Sequence, residues 1–503
     1  MTPPPSAIPY GHHDRLYIGG AWVPPGSDGM LDVIAPATET CYVRVAEARE
    51  ADIHAAVAAA RAAFDHGPWP RMTPAERAGH LRALGQEITA RAGDIAQVWP
   101  NEMGVVHALA QAMAARTCQF YGSYADLAGT YPWEARHTPA GGGDTGLLVK
   151  EPVGTVAAII PWNSPISLLT HKLAPALLAG CTVVVKAAPE APGAAYIVAE
   201  AAEAAGLPPG VVNVLTADRA ASEALVRHPG IDKVAFTGST AVGRRIGAIL
   251  SERIGRCTLE LGGKSAAIVF DDYDIDTAAK TIATPACMLS GQVCSSLTRI
   301  IVGKGRHDQM VEALAAHFGA MRVGDPFDPA TQVGPLASRR QRERVEGLIA
   351  KARQEGAVLA TGGKRPGHLE RGFYIEPTVF GRVDNASTLA REEVFGPVLS
   401  VIAADSDAHA VALANDTLYG LNNSVFTHDV DRAYAAARQL RSGTVGHNVF
   451  RTDFSIGFGG FKQSGIGREG LVEGLDAYLE SKTVILDGRP SREFKPNRPP
   501  GLS

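Results

Sequence analysis

Glu260 and Cys294 carry the chemistry that this sequence offers first. The carboxylate ends a strand-like run, Thr258 to Leu261, ahead of Gly262-Gly263, and the thiol follows 34 residues later in the loop Gly291-Gln292-Val293-Cys294. A thiolate can add to a carbonyl and hold the product covalently, and a carboxylate can draw a proton from the water that releases it. Taken singly, an isolated cysteine is a small buried hydrophobe and a glutamate beside two glycines is a solvated strand end. The pair acquires meaning only if the fold brings both to one place.

Further residues could serve such a site. Asn163, in Pro161-Trp162-Asn163-Ser164-Pro165, either caps a helix or donates its amide to a developing oxyanion. Lys186 sits just past the strand-like run Thr182–Val185, where ligands of open α/β sheets bind, and either meets ribose or phosphate or is simply solvated. Phe236 to Gly243, FTGSTAVG, places a Gly-Ser-Thr-x-x-Gly turn between a strand and a helical run from Arg244. That turn is a plain connector or a pyrophosphate cradle at a helix N-terminus. Glu392 to Pro397 reads as a loop entering a strand, and Gly459 to Glu469 as a flexible Gly-rich connector.

The elements that must position these residues follow from length and pattern. A chain of 503 residues exceeds the ~250–300 that one core usually serves, so two or more domains are expected. Apolar content of 46%, a charged fraction of 20% and a net charge of −4 mark an ordinary globular protein without the basic stripe of a nucleic-acid or membrane-surface binder. The six cysteines, Cys41, Cys118, Cys181, Cys257, Cys287 and Cys294, lack metal-ligand or disulfide-framework spacing. With no signal peptide and no apolar run near the ~18 residues of a membrane span, a soluble, cytoplasmic, metal-free protein is expected.

Residues 1–15 and 488–503 are Pro-rich and polar and read as tails. Gly19-Gly20 is a hairpin signal, 51–64 has helical period, and Thr73-Pro74-Ala75-Glu76 opens a helical region that runs with breaks to about Tyr121. Pro132 to Lys150 resembles a protruding hairpin whose second strand lacks a partner in its own domain, so another segment or subunit should cover it. From Val153 to Leu261, strands at 155–160, 182–185, 211–215, 233–236 and 258–261 alternate with helices at 167–179, 194–205 and 219–227. Near-continuous apolar strands between helices indicate a Rossmann-like parallel sheet covered on both faces. A second α/β region, with strands at 266–270, 299–302, 398–402 and 444–445, extends to about Leu475.

Seven stretches together resemble the aldehyde dehydrogenase superfamily: PWN at 161–163, the lysine ending TVVVK at 186, FTGSTAVG at 236–243, LELGGK at 259–264, GQVC at 291–294, EEVFGPV at 392–398 and GGFKQSGIGRE at 459–469. The resemblance spans about Leu16 to Leu486. It implies an NAD(P)-dependent enzyme that does not transfer its acyl group to coenzyme A, since Glu260 is present to hydrolyse the thioester. Cys294 is implied as nucleophile, Glu260 as general base, Asn163 with the Cys294 backbone N–H as oxyanion hole, and Lys172 and Glu469 as a proton relay. Ile160, Pro161, Trp162, Lys186, Gly238, Ser239, Gly243, Leu261, Glu393 and Phe395 are implied to hold the cofactor. Ser164, Leu168, His171, Val293, Ser295 and Phe458 are implied to line the aldehyde channel.

The resemblance also implies α/β architecture with a cofactor-binding domain (1–129 and 153–262), a catalytic domain (263–475) and a small β oligomerisation arm (130–152 and 476–503), assembled as a homodimer or homotetramer. The pocket set is small or apolar without Arg or Lys, which points to an uncharged aldehyde. Pro189 stands where the family often has a glutamate for the adenosine ribose, yet no second cation near Lys186 awaits a 2′-phosphate. NAD is therefore expected, with NADP open. Gly457 and Gly446-His447 also depart from the family pattern, around the pocket.

Two other readings remain. Cys294 and His447 lie 153 residues apart, similar to a papain-like separation, so a cofactor-independent cysteine hydrolase is one. A catalytically silent structural member of the same fold is the other.

Overall fold

Two large sheets organise the chain. The structure, a computed structural model, describes residues 8–490. The outer parts of the two Pro-rich ends, and of the expected arm 476–503, lie outside the described residues. Residues 8–15 are not a loose tail: Tyr10 is buried with its ring 5.5 Å from that of Tyr196, and the Gly11 N–H donates to Glu200.

The first sheet has eight strands in the order Gly465–Ile466, Arg256–Glu260, Lys233–Thr237, Thr155–Ile159, Thr182–Ala187, Val212–Thr216, Leu16–Ile18 and Ala21–Val23. The five strands from Arg256–Glu260 to Val212–Thr216 are parallel, and Leu16–Ile18 pairs with Ala21–Val23 in the expected hairpin. Every residue of the central strands 155–159, 182–187, 212–216 and 233–237 is buried, which is why they read as apolar runs with no alternation. Helices Pro165–Ala179, Gly193–Ala204, Arg219–Arg227 and Thr240–Ser251 fill the crossovers.

Boundaries differ from expectation in ways that matter for the site. Lys186 is not past its strand but inside it, since the strand runs to Ala187. The helix after FTGS begins at Thr240, not Arg244, with Ser239 as its N-cap accepting from the Val242 N–H. Asn163 caps nothing; Ser164 holds the N-cap position of the next helix. The helical region before the arm is three helices, Pro74–Ala90, Ala92–Met103 and His107–Thr130.

The second sheet has seven strands in the order Val358–Thr361, Thr378–Gly381, Val398–Ala404, Leu297–Gly303, Ser265–Val269, Asn422–Phe426 and Thr444–His447. The strand Asn422–Phe426 is not legible as one, because Asn422, Asn423 and Ser424 are polar. All three are buried and used: Asn423 Oδ1 accepts from the Ala266 N–H, Asn422 Nδ2 donates to the Ser295 carbonyl, and Ser424 Oγ donates to the Val449 carbonyl.

A three-stranded sheet joins Glu134–His137, Thr145–Pro152 and Leu479–Leu486. The hairpin's second strand, expected to be unpaired in its own domain, is thus covered on one side by its own hairpin partner and on the other by the C-terminal strand. The Gly-rich segment 459–469 is no mere connector: Gly465–Ile466 pairs antiparallel with Arg256–Glu260, returning the chain to the first sheet beside Glu260. Among the described residues, no helix is long and apolar enough to cross a membrane.

Candidate active site

Glu260 is the last residue of its strand, held in place by three backbone links. Its carbonyl accepts from the Gly238 N–H at 3.0 Å, its neighbour Leu261 donates to the Ser464 carbonyl at 2.9 Å, and Gly465 pairs beside it. The carboxylate is 3% exposed, and neither oxygen has a hydrogen-bond partner among the described residues. Burial and the nearby charge of Glu469 push its carboxyl well above the usual carboxylate range, against the pull of Lys172 and Arg468. Gly459 presses on it closely enough that a Cβ there would lie 2.6 Å from Glu260 Oε1. A carboxyl so placed can act as a general base only once ionised, and its raised value carries that ionisation to higher pH.

Cys294 comes to the same place along a loop pinned by Gln292. The Gln292 side chain is fully buried, accepts from the Ala337 N–H at 3.0 Å and donates to the Leu289 carbonyl at 2.9 Å. Leu289, Ser290 and Gly291 all take left-handed backbone angles, with φ of 48°, 56° and 75°. The two non-glycine residues there pay a backbone cost that surrounding structure must hold. The thiol is half-buried, and burial with the charges of Glu393 and Glu260 pushes it up to about 12. Those charges mark the two carboxylates as its neighbours across the site.

Asn163 reaches the Cys294 loop directly, its Nδ2 donating to the Gln292 carbonyl at 3.0 Å while its own carbonyl accepts from Trp99 Nε1 at 3.1 Å. Lys172, wholly buried on the helix Pro165–Ala179, donates to Glu469 at 2.5 Å and to Thr237 Oγ1 at 2.6 Å. Lys172 and Glu469 are thus joined to each other and Asn163 to the Cys294 loop, while Glu260 lies within electrostatic reach of both Glu469 and Cys294. His447 and Asn448 do not form a base–orienter pair: His447 Nε2 and Asn448 Nδ2 each meet the Thr427 carbonyl instead of one another.

The residues implied to hold the cofactor lie around the strand ends that flank Glu260. Ser239 and Thr240 present a helix N-terminus beside the strand end at Thr237. A Cβ on Gly243 would lie 2.5 Å from Leu261 Cδ2, so glycine lets that helix close on the strand carrying Glu260. Lys186 is 8% exposed, and burial pulls its ammonium down to about 8 against the pull of Glu190 and Asp218. Ile160 donates to the Lys186 carbonyl, Trp162 and Phe395 meet edge-on at 5.4 Å, and Glu393 Oε1 accepts from the Gly263 N–H at 3.2 Å. These residues fit a bound nucleotide cofactor.

Two of the residues implied to line the aldehyde channel, His171 and Phe458, belong to one aromatic cluster. His171 stacks on Phe454 at 3.9 Å and meets Phe120 edge-on at 4.7 Å, while Phe454 lies 4.5 Å from Phe458. Burial and Lys172 pull His171 down to about 3, so its imidazole stays neutral. Leu168, Ser164 and Ser295 are buried and Val293 is half-buried. Phe120, Phe454 and the Gln292 staple carried no local signal; all three depend on long-range packing.

The sequence profile of the Aldehyde dehydrogenase family matches residues 22–484. The chain belongs to that family. Among its relatives, geranial dehydrogenase of Castellaniella defragrans is 41% identical over 480 residues, covering 95% of this chain and 99% of that protein. The crystal structure of Mycobacterium tuberculosis aldehyde dehydrogenase complexed with NAD+ is similar with a TM-score of 0.92 and 43% identity, covering 94% of this chain and 98% of that one. A variant of aldehyde dehydrogenase C from Pseudomonas syringae, complexed with NAD+ and octanal, is similar with a TM-score of 0.91 and 37% identity, covering 96% and 98%. The chain is an oxidoreductase of the aldehyde dehydrogenase fold, with family motifs in order from Pro161 to Glu469.

Proposed function

We propose that this enzyme oxidises an uncharged, apolar aldehyde to its carboxylic acid with NAD+, using Cys294 as nucleophile and Glu260 as base. The observation that carries the proposal is the convergence of a half-buried thiol, an unpaired buried carboxyl and a positioned amide on one site. Cys294 Sγ, its proton given up to solvent, adds to the aldehyde carbon as the carbonyl π pair moves onto oxygen. Asn163 spends one amide N–H on Gln292, so its second, with the Cys294 backbone N–H, is free for the oxyanion. When bound, the nicotinamide cofactor supplies the acceptor for the hydride that the carbon gives up. Cys294 is then left carrying a thioester. Ionised Glu260 takes a proton from water, whose oxygen bonds to the thioester carbon as the C–S bond breaks, freeing the acid and the Cys294 thiolate, and Lys172 with Glu469 passes the proton onward from the buried side.

Lys186 and the turn 238–243 hold the adenosine ribose and pyrophosphate, and Glu393 holds the nicotinamide ribose. The first sheet, with residues 1–129 and 153–262, serves as cofactor domain; 263–475 serves as catalytic domain, and 130–152 with 476–503 as arm. The outer edge of Leu479–Leu486, with Ile485 58% exposed, supports pairing with a second copy in a homodimer or homotetramer. A cytoplasmic location fits six free cysteines. The apolar wall of His171, Phe454 and Phe458 supports octanal-like over charged aldehydes. An aldehyde panel read by NADH and NADPH formation, with Cys294→Ser as control, tests this. Turnover of apolar aldehydes lost in the variant is expected. Cofactor-free ester cleavage alone, or NAD+ binding with no turnover of any aldehyde, would overturn it.

A further inference from the structure

Lys264 ends the LELGGK stretch that carries Glu260, and nothing in the chemistry above uses it. Its side chain is 1% exposed, and its Nζ has no hydrogen-bond partner among the described residues. A buried ammonium without a partner is costly, so such a lysine either gives up its proton or answers a carboxylate. The charged groups facing it are Arg299 from the strand Leu297–Gly303, Arg344 from the helix Arg339–Gln354, and Glu393 and Glu392 from the loop before Val398–Ala404.

Most of these are already engaged. Arg299 donates to the carbonyls of Lys264, Leu413 and Ala414 and to Asn385. Arg344 donates to the Glu393 carbonyl and lies 3.7 Å from Glu392. Glu393 is left, pressed on the backbone just ahead of Lys264: Gly263 N–H donates to Oε1, and a Cβ on Gly262 would lie 2.3 Å from Oε2. Glu393 also faces Cys294 and Tyr419. Burial pulls Lys264 down to about 7 and pushes Glu393 up to about 7. The charge on each group favours the charged form of the other.

We infer that Lys264 is a positioning residue for cofactor binding, taking up the proton that Glu393 gives up when its carboxylate accepts hydrogen bonds from ribose hydroxyls. The O–H of the Glu393 carboxyl breaks and an N–H forms on Lys264 Nζ by exchange with solvent. A neutral acid and a neutral amine become a carboxylate and an ammonium, so the pair's net charge does not change. This rests on the reading above that Glu393 holds the ribose.

Titration calorimetry of NAD+ into the enzyme at pH 7, in two buffers of different ionisation enthalpy, counts the protons. The wild type should release about none, and Lys264→Met about half to one per NAD+ bound. The variant's affinity should rise several-fold from pH 7 to 8.5, because only there is Glu393 ionised without its partner, while the wild type stays within about twofold. Should Lys264→Met fail to fold, Lys264→Gln keeps a polar end without the titrating amine. A Lys264 variant that binds NAD+ with no proton release and a wild-type pH profile, while Glu393→Gln weakens binding, would overturn the inference. Unchanged affinity in Glu393→Gln would instead remove the ribose role and the inference with it.

Discussion

Replacing Lys172 by methionine should destabilise the protein and shift its pH profile together. Lys172 and Glu469 are 0% and 3% exposed and joined at 2.5 Å, with Thr237 as the lysine's second partner at 2.6 Å. Removing one member of a buried pair strands the other charge in low dielectric, a loss of about 3–5 kcal/mol. For a cooperative unit of 150–250 residues that is a fall of roughly 6–20 °C in Tm by scanning fluorimetry. The double variant Lys172→Met/Glu469→Leu removes both charges and should regain most of the loss. The chemistry should move as well, because Lys172 pulls the Glu260 carboxyl down and Glu469 pushes it up. Hydrolysis needs Glu260 ionised, so turnover rises with pH through its raised value. Lys172→Met should carry that rise to higher pH and Glu469→Gln to lower pH. A Lys172→Met variant within about 1 kcal/mol of wild type, or a double variant as unstable as the single, would refute the reasoning.

The other expectations concern the thiol and its oxyanion hole. Carboxamidomethylation of Cys294 should be slow at pH 7 and rise about tenfold per pH unit toward pH 10, since the thiol is held up near 12. Glu393→Gln should speed it at pH 9, where Glu393 is ionised, by removing a neighbouring negative charge, and an unchanged or slower rate there would contradict that. Asn163→Ala should cost about 10²–10³ in the acylation rate. Stopped-flow NADH formation checks this, and a loss under about fivefold would remove Asn163 from the oxyanion hole.

The parallel core of the first sheet was legible because its strands are buried on both faces and so carry continuous apolar runs, as in Thr182–Ala187. Asn422–Phe426 was not, because its polar residues are paid for by partners 127 and 157 positions away. The site residues Cys294, Glu260 and Asn163 were legible as chemistry, and their convergence only through motif order. What joins them is long-range: Gln292 bridging Leu289 and Ala337, and Gly465 returning beside Glu260. Lys264 stood inside a quoted motif, yet only its burial without a partner marks it. His447 shows the converse, a plausible spacing whose ring the fold commits to a backbone carbonyl.

In the proposed mechanism Cys294 takes the acyl group and Glu260 releases it. Mixing Glu260→Gln with NAD+ and octanal, quenching in acid and mapping the peptides by mass spectrometry separates the two roles. About one NADH per active site and an octanoyl group on the peptide holding Cys294 are expected. Full turnover with no adduct, or an adduct on another cysteine, would contradict it.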